Sequence, residues 1–263
     1  MGAFWSRILI ALAGLPLVLG LVWLGGWWLF GLALAGGLIA LHELYGIARG
    51  LRPVVIGGYV GLVLTLLGTQ LGGVEWLFAG LLSTLAASFL IFGFSDARPS
   101  ATAAMGTTLL GVVWVGGGLG TVLLVRDIPG HGRLAIFTVL IAVFAEDTAA
   151  YFVGRAVGRR KLAPTISPGK SVEGFLAGTL AAVAVAFFAL YEQDYLETWE
   201  SIVLGVAVAL AAAAGDLFES AIKRDLGVKD SGRLLAGHGG VLDRLDAPLW
   251  AVPAAYAVLL AFS

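Results

Sequence analysis

The stretch that decides the fold is residues 200–219, ESIVLGVAVALAAAAGDLFE, which continue into residues 220–246, SAIKRDLGVKDSGRLLAGHGGVLDRLD. The first part is an apolar run of about 20 residues, the length that a helix needs to cross the hydrocarbon core of a bilayer. Similar runs recur along the whole chain, which has 263 residues, 59% of them hydrophobic and only 13% charged. Soluble domains are about one quarter charged. The sequence therefore predicts an all-α, polytopic integral membrane protein.

Hydropathy predicts about nine transmembrane helices. They are expected at roughly 8–24, 26–48, 54–72, 75–93, 104–125, 134–154, 173–191, 200–219 and 247–262. Because only Gly25 and Gly26 separate the first two, one long tilted helix is an alternative, but its length favours a tight helical hairpin.

The basic residues predict the orientation, because cytoplasmic loops carry the excess of Lys and Arg. With the N-terminus in the cytoplasm, all of the 16 Lys and Arg residues except Arg126 and Arg133 fall on the cytoplasmic face. The acidic loop after the seventh predicted helix then lies outside. We expect residues 1–145 to form a lipid-embedded scaffold and residues 146–263 to combine transmembrane helices with cytoplasmic catalytic loops.

Composition also excludes several classes of function. A net charge of -1 gives no support for nucleic-acid binding, and the absence of cysteine excludes disulfides, thiolate metal sites and a cysteine nucleophile. The 38 glycines do not follow predicted strands, which argues against a dinucleotide-binding or P-loop fold and favours close helix packing.

Charge is concentrated in residues 216–246, and ionisable groups at membrane depth indicate function by default. If the eighth helix continues past the bilayer, Asp216, Ser220 and Lys223 lie along one stripe. Asp243 and Asp246 add two carboxylates, although Asp246 could instead cap the last helix. Carboxylates without thiols favour Mg²⁺ over zinc, and the nearby Lys and Arg indicate phosphates. A solvated loop on anionic headgroups is the alternative.

A second polar cluster follows the sixth predicted helix. Asp147 must face the bundle interior or water, because lipid would not tolerate its charge. Ser167-Pro-Gly-Lys170 predicts a tight turn that presents a hydroxyl and an ammonium together, with Ser171 and Glu173 at the start of the seventh helix.

These stretches resemble the phosphatidate cytidylyltransferase (CDP-diacylglycerol synthase) family. The family signature S-x-x-K-R-x4-K-D-x7-H-G-G-x-x-D-R-x-D is matched at Ser220, Lys223, Arg224, Lys229, Asp230, His238, Gly239, Gly240, Asp243, Arg244 and Asp246. The patterns D-T-x-A-Y-x-x-G-R, from Asp147, and I-S-P-x-K-[ST]-x-E-G, from Ile166, are also similar to the family. The chain departs at Ala236, where the family usually has Pro, and residues 1–145 agree only in hydropathy.

The resemblance implies transfer of the cytidylyl group of CTP to phosphatidic acid in phospholipid biosynthesis, giving CDP-diacylglycerol and pyrophosphate. It implies Mg²⁺ on Asp216, Asp243 and Asp246, with the number of metal ions open, and it places Lys223 with these carboxylates in catalysis. The substrate-binding set that we expect is Asp147, Ser167, Lys170, Ser220, Arg224, Lys229, His238, Arg244. We further expect a bacterial inner-membrane location, a cytoplasmic active site, membrane lipid as a partner, no nucleic acid, and an oligomeric state that includes the option of a homo-oligomer.

Two other functions compete with this interpretation. A CTP-dependent polyprenol or phytol kinase would transfer the γ-phosphoryl group instead. A proton- or cation-coupled transporter would use Asp147 and Asp216 as intramembrane carriers, but most of the ionisable residues lie in predicted surface loops.

The charge asymmetry predicts the sidedness of the loops. Because the chain has no native cysteine, single cysteines can report it. In whole cells or sealed right-side-out vesicles, an impermeant thiol reagent should label Glu197→Cys directly. It should label Gly169→Cys only after the membrane is permeabilised. The reverse pattern of labelling would overturn the predicted orientation.

Overall fold

The computed structural model describes residues 14–94, 100–191, 193, 195–232 and 239–262. Several basic residues used in the orientation count, and the predicted substrate-binding residue His238, lie outside the described residues. Those basic residues are Arg7, Arg98 and Arg233.

The first half of the chain consists of apolar helices. They are α1 (Gly14–Leu24), α2 (Gly26–Ile47), a short 3₁₀ helix (Arg49–Leu51), α3 (Val55–Gly93), α4 (Ala101–Gly111), a π-helical turn (Val112–Gly116) and α5 (Gly117–Arg126). The segments of Ala101–Arg126 form one apolar helix that is long enough to span a bilayer.

The second half adds a β-hairpin to its helices. The elements are α6 (Gly132–Val157), β1 (Lys161–Ala163), β2 (Ser167–Ser171), α7 (Val172–Leu190), α8 (Thr198–Asp225), α9 (Leu242–Leu245) and α10 (Pro248–Phe262). The two strands pair antiparallel, with Lys161 opposite Ser171.

The prediction of an all-α membrane protein is confirmed. Seven described helices are long and apolar enough to cross a membrane, and α1 is a shorter apolar helix. One of the seven, α3, contains a break at Gly73, whose φ of 70° separates the two helices predicted there. Gly25, with φ of 69°, likewise separates α1 from α2, so these are two helices rather than one. The predicted count of about nine thus agrees with the described helical segments.

The chain forms two compact units. The N-terminal unit comprises the described residues of Met1–Asp127 and Leu226–Leu245, and the C-terminal unit comprises those of Ile128–Asp225 and Asp246–Ser263. The expected division into a scaffold, residues 1–145, and a catalytic part, residues 146–263, concerns function rather than packing. It stays a prediction.

Small residues let the two halves of α3 pack against each other in the N-terminal unit. A Cβ on Gly61 would collide with the Thr84 side chain, and one on Gly80 would collide with the backbone of Thr65. The buried threonine hydroxyls donate to backbone carbonyls one turn back, as Thr65 does to Gly61 O at 2.8 Å. The hydroxyls of Thr65, Thr69 and Thr84 are therefore buried with their protons paired.

The C-terminal unit uses glycine in the same way. A Cβ on Gly174 would meet Ala150 O at 2.6 Å, and one on Gly178 would meet Glu146 O at 2.8 Å, so α7 lies directly on α6. Gly205 lets α8 approach α7 at Val183. Close helix contact therefore fixes where the polar side chains of α6 and α8 lie.

Large apolar side chains cover the outside. Phe144, Leu180 and Phe188 are 75%, 71% and 75% exposed on helices that could cross a membrane. Exposed side chains of this size would be costly in water, whereas lipid accepts them. The chain is an integral membrane protein.

Candidate active site

The predicted stripe of polar groups on α8 is present in the structure. The helix continues to Asp225, and the Ser220 hydroxyl donates to Asp216 Oδ1 at 3.3 Å. Lys223 pairs with Glu219 Oε2 at 2.9 Å, and Glu219 is almost fully buried. An acid, a hydroxyl and a cation therefore occupy successive turns at the end of one apolar helix.

Lys170 of β2 reaches this stripe from the hairpin. Its Nζ lies 2.6 Å from Asp216 Oδ2, and the two side chains are 26% and 30% exposed. The predicted turn at Ser167–Lys170 is wrong, because these residues form β2 and the turn precedes them at residues 164–166. The strand still presents the lysine to α8, one turn before Ser220, the first residue of the signature.

Hydrogen bonds anchor the hairpin to α7. The Ser171 hydroxyl accepts from the Gly174 N–H at 3.1 Å and caps the helix, as its position before the apolar run predicts. The Glu173 carboxylate accepts from the N–H groups of Arg159 and Arg160 at 3.1 to 3.2 Å. Both ends of the hairpin are therefore tied to the start of α7, which fixes the origin of the Lys170 side chain.

Acidic side chains from three segments gather around this ion pair. Asp216 and Lys170 are electrostatic neighbours of Glu146 on α6, and Asp216, Asp147 and Glu219 are neighbours of Asp246. Among the described residues of the C-terminal unit the cluster thus combines five acidic side chains with two lysines, namely Glu146, Asp147, Asp216, Glu219, Asp246, Lys170 and Lys223. The excess of carboxylates favours binding of further cations.

Asp246 is placed by the start of α10. The alternative in which Asp246 caps this helix is wrong, because Ala247 O accepts the first helical hydrogen bonds, from Trp250 and Ala251 N–H groups. A Cβ on Gly215 would meet Trp250 Cδ1 at 2.9 Å and would also collide with the backbone carbonyl of Asp246. The glycine on α8 therefore lets Asp246 approach the acidic cluster.

The signature residues between Leu226 and Leu245 belong to the N-terminal unit. Asp243, in the first turn of α9, accepts from the Ser231 N–H at 3.1 Å and from the Gly240 N–H at 2.7 Å. Its carboxylate therefore joins the two described flanks of the segment that contains His238. Arg244 and Lys229 are exposed, as is Arg224 at the end of α8 in the C-terminal unit.

Glu43 on α2 is a polar residue that the sequence analysis missed. It is 8% exposed, and its carboxylate accepts from the Ser231 hydroxyl and from the N–H groups of Val241 and Leu242. The signal was present, because Glu43 is an acid inside the apolar run predicted at 26–48. Nothing in the local sequence indicates its partners, which lie almost 200 residues later.

The cluster in the C-terminal unit fits a hard cation by its donor chemistry. Among the described residues, no group of three or more His, Asp or Glu side chains is arranged to hold a metal ion. Mg²⁺ does not require such a cage, since it is commonly bound by one or two carboxylates, water and substrate phosphates. Asp216 and Asp246 are neighbours on this cluster and supply that number of carboxylates. Asp243 remains a predicted ligand.

Comparisons with known proteins agree with the motifs. The protein-family model described as the cytidylyltransferase family matches residues 5–262. A phosphatidate cytidylyltransferase of Staphylococcus haemolyticus is 34% identical over 251 residues, covering 94% of this chain and 95% of that protein. Proteins of the same name from Haemophilus influenzae and Bacillus subtilis are 46% and 41% identical. These two matches cover 48% and 53% of this chain, and 45% and 52% of those proteins.

Proposed function

The chain belongs to the cytidylyltransferase family, and we propose that it transfers the cytidylyl group of CTP to phosphatidic acid, giving CDP-diacylglycerol and pyrophosphate. The observation that carries the proposal is the ion pair between Lys170 and Asp216 at 2.6 Å. It brings Lys170, from the pattern on the β-hairpin, to Asp216, which accepts a hydrogen bond from Ser220, the first residue of the signature on α8. Both side chains of the ion pair are partly exposed. The chain is an enzyme of the nucleotidyltransferase type.

The reaction exchanges one phosphoanhydride bond for another. A phosphate oxygen of phosphatidic acid attacks the α-phosphorus of CTP, forming a new P–O–P bridge. The bond from the α-phosphorus to the oxygen that bridges to the β-phosphate breaks, and pyrophosphate leaves with the electron pair. The lipid phosphate is already ionised near neutral pH, so orienting it can replace proton abstraction by a general base.

Fixed cations reduce the electrostatic repulsion between the two polyanionic substrates, CTP and phosphatidic acid. Lys170 and Lys223 each hold a carboxylate in the structure, at 2.6 and 2.9 Å. A phosphate oxygen can compete for such an ammonium, and the pairing keeps the lysine oriented before substrate arrives. We assign Lys170, Lys223 and Arg224 to substrate phosphates, and Ser220 to the orientation of Asp216.

Mg²⁺ is proposed as the cofactor on the carboxylates Asp216, Asp243 and Asp246. When bound, it would supply charge neutralisation on the phosphate oxygens. The donor chemistry of the acidic cluster supports the assignment of Asp216 and Asp246, because the metal ligands that the cluster offers are carboxylate oxygens and it has more acids than lysines. Asp243 is included because of the resemblance to the family. The number of metal ions is left open.

The lipid substrate is proposed to reach the site from within the membrane. Exposing acyl chains to water costs about 0.8 kcal/mol per CH₂, so the reacting phosphate must stay near the headgroup level. The polar stripe lies at the end of the apolar helix α8, which suits a phosphate held at that depth. CTP would enter from the aqueous side, which the charge asymmetry predicts to be the cytoplasm of a bacterial inner membrane.

The position of the transferred phosphorus tests the activity. Purified protein in phosphatidic acid micelles with Mg²⁺ should transfer radiolabel to lipid from [α-³²P]CTP and release pyrophosphate in equal amount. With [γ-³²P]CTP the lipid should stay unlabelled, because the γ-phosphate leaves in pyrophosphate. Lipid labelled from the γ position would instead show a kinase.

The carboxylates Asp216 and Asp246 are expected to be required for catalysis. Asp216→Asn and Asp246→Asn should each lower kcat at least about 100-fold, since each removes a charged oxygen ligand of Mg²⁺. Elution as a monodisperse peak and a single cooperative melting transition would establish that each variant is folded. Glu197→Gln, in an exposed position beyond the other end of α7, serves as the control and should retain activity. Wild-type turnover by Asp216→Asn in excess chelator would contradict the metal assignment.

A further inference from the structure

We propose that Glu43, on the membrane helix α2, is a positioning residue for the reaction, which holds the segment carrying Asp243 and Arg244 in its working geometry. The proposal rests on the proposed function, because it assigns Glu43 to the same chemistry. Glu43 lies outside the family signature and outside every pattern that the sequence analysis identified.

The Glu43 carboxylate holds both flanks of the signature loop. On the first flank, it accepts from the Ser231 hydroxyl at 3.3 Å. On the second flank, Oε1 accepts from the Val241 N–H at 3.1 Å and Oε2 from the Leu242 N–H at 2.9 Å. Because Ser231 and Val241 are ten positions apart in the sequence, one side chain fixes the separation of two distant points of the backbone.

Asp243 completes the same arrangement. The Ser231 residue that donates its hydroxyl to Glu43 donates its N–H to Asp243 at 3.1 Å, and Gly240 donates its N–H to Asp243 at 2.7 Å. The two carboxylates therefore share Ser231 and bind adjacent residues on the second flank. Movement of Glu43 would shift the partners that orient Asp243.

The surroundings of Glu43 are built around its carboxylate. A Cβ on Gly232 or Gly240 would collide with its oxygens, so a larger residue at either position would displace the Glu43 carboxylate. Ser231 is 5% exposed and Leu242 is fully buried. Burial strengthens these hydrogen bonds and makes a lost partner costly, because water cannot replace it.

Glutamine would not substitute for Glu43, although it has the same size. Backbone N–H groups approach both carboxylate oxygens, and a glutamine has only one oxygen. Either orientation of its amide would place an NH₂ group against an N–H donor. The structure therefore requires two acceptor oxygens at this position and not merely a side chain that fills the space.

The experiment compares Glu43→Gln with Glu75→Gln, which removes the same charge from an exposed position in the N-terminal unit. Cytidylyl transfer is measured per folded molecule, with kcat and the KM for CTP determined separately and the melting temperature recorded. Because Asp243 is assigned to Mg²⁺ and Arg244 to substrate binding, their displacement should act mainly on the transition state. We expect Glu43→Gln to lower kcat by roughly 10- to 100-fold, with a change in KM below about threefold, and Glu75→Gln to match wild type.

The outcomes separate three explanations. A wild-type protein without cytidylyl transfer would overturn the proposed function itself. An active wild type with the same kcat in Glu43→Gln as in Glu75→Gln would overturn the positioning role. A lower melting temperature with unchanged kcat would also overturn it, because that pattern marks a purely structural contact.

A milder variant decides the question if Glu43→Gln does not fold. Ser231→Ala removes one donor to Glu43 but keeps the N–H that binds Asp243. A kcat lowered about three- to tenfold at an unchanged melting temperature would support the proposal, since one of several hydrogen bonds is worth about 1 kcal/mol. An unchanged kcat in this folded variant would overturn it.

Discussion

The structure depends on one constraint: a carboxylate at the depth of a membrane helix must find its cation or its hydrogen-bond donors within the protein. Lipid offers neither, and an unsatisfied polar group there costs several kcal/mol. Asp216 meets the constraint with Lys170 and Ser220, and Glu43 meets it with donors from the signature loop. In both cases the partner comes from a distant part of the sequence, so satisfying the charge also determines which segments meet.

Glycine residues allow these segments to pack closely. Gly178 lets α7 lie against Glu146, and Gly215 lets the backbone at Asp246 approach α8. Larger residues at these points would separate the helices and with them the acidic groups. The high glycine content therefore serves the site as well as the helix packing.

Hydropathy was sufficient to predict most of the fold. The apolar stretches predicted the described helices, and the gaps between the predicted ranges 8–24 and 26–48, and between 54–72 and 75–93, fall at Gly25 and Gly73, where φ is positive. The β-hairpin was not predicted, because its strands are three and five residues long and Ser167-Pro-Gly-Lys170 has the composition of a turn. The spacing of Asp216, Ser220 and Lys223 predicted a stripe because helical geometry is regular.

The tertiary contacts of the site could not be predicted from the sequence. Local spacing could not indicate that Lys170 reaches Asp216, nor that Glu43 accepts from residues 231, 241 and 242. The charge count nevertheless agrees with both contacts. The charge count predicts the cytoplasmic face for both partners of each contact, and two residues in contact must lie on the same face of the membrane.

The ion pair between Lys170 and Asp216 in the acidic cluster is expected to stabilise the folded protein. A double-mutant cycle of Lys170→Met and Asp216→Asn, read by unfolding free energy in detergent, tests it most directly. The account predicts that Asn relieves much of the damage caused by Met, with a coupling free energy of about 0.5–3 kcal/mol. Arg133→Met, at the other end of α6, should show no coupling to Asp216→Asn. Additivity of the Lys170 and Asp216 variants within about 0.3–0.5 kcal/mol would contradict the account.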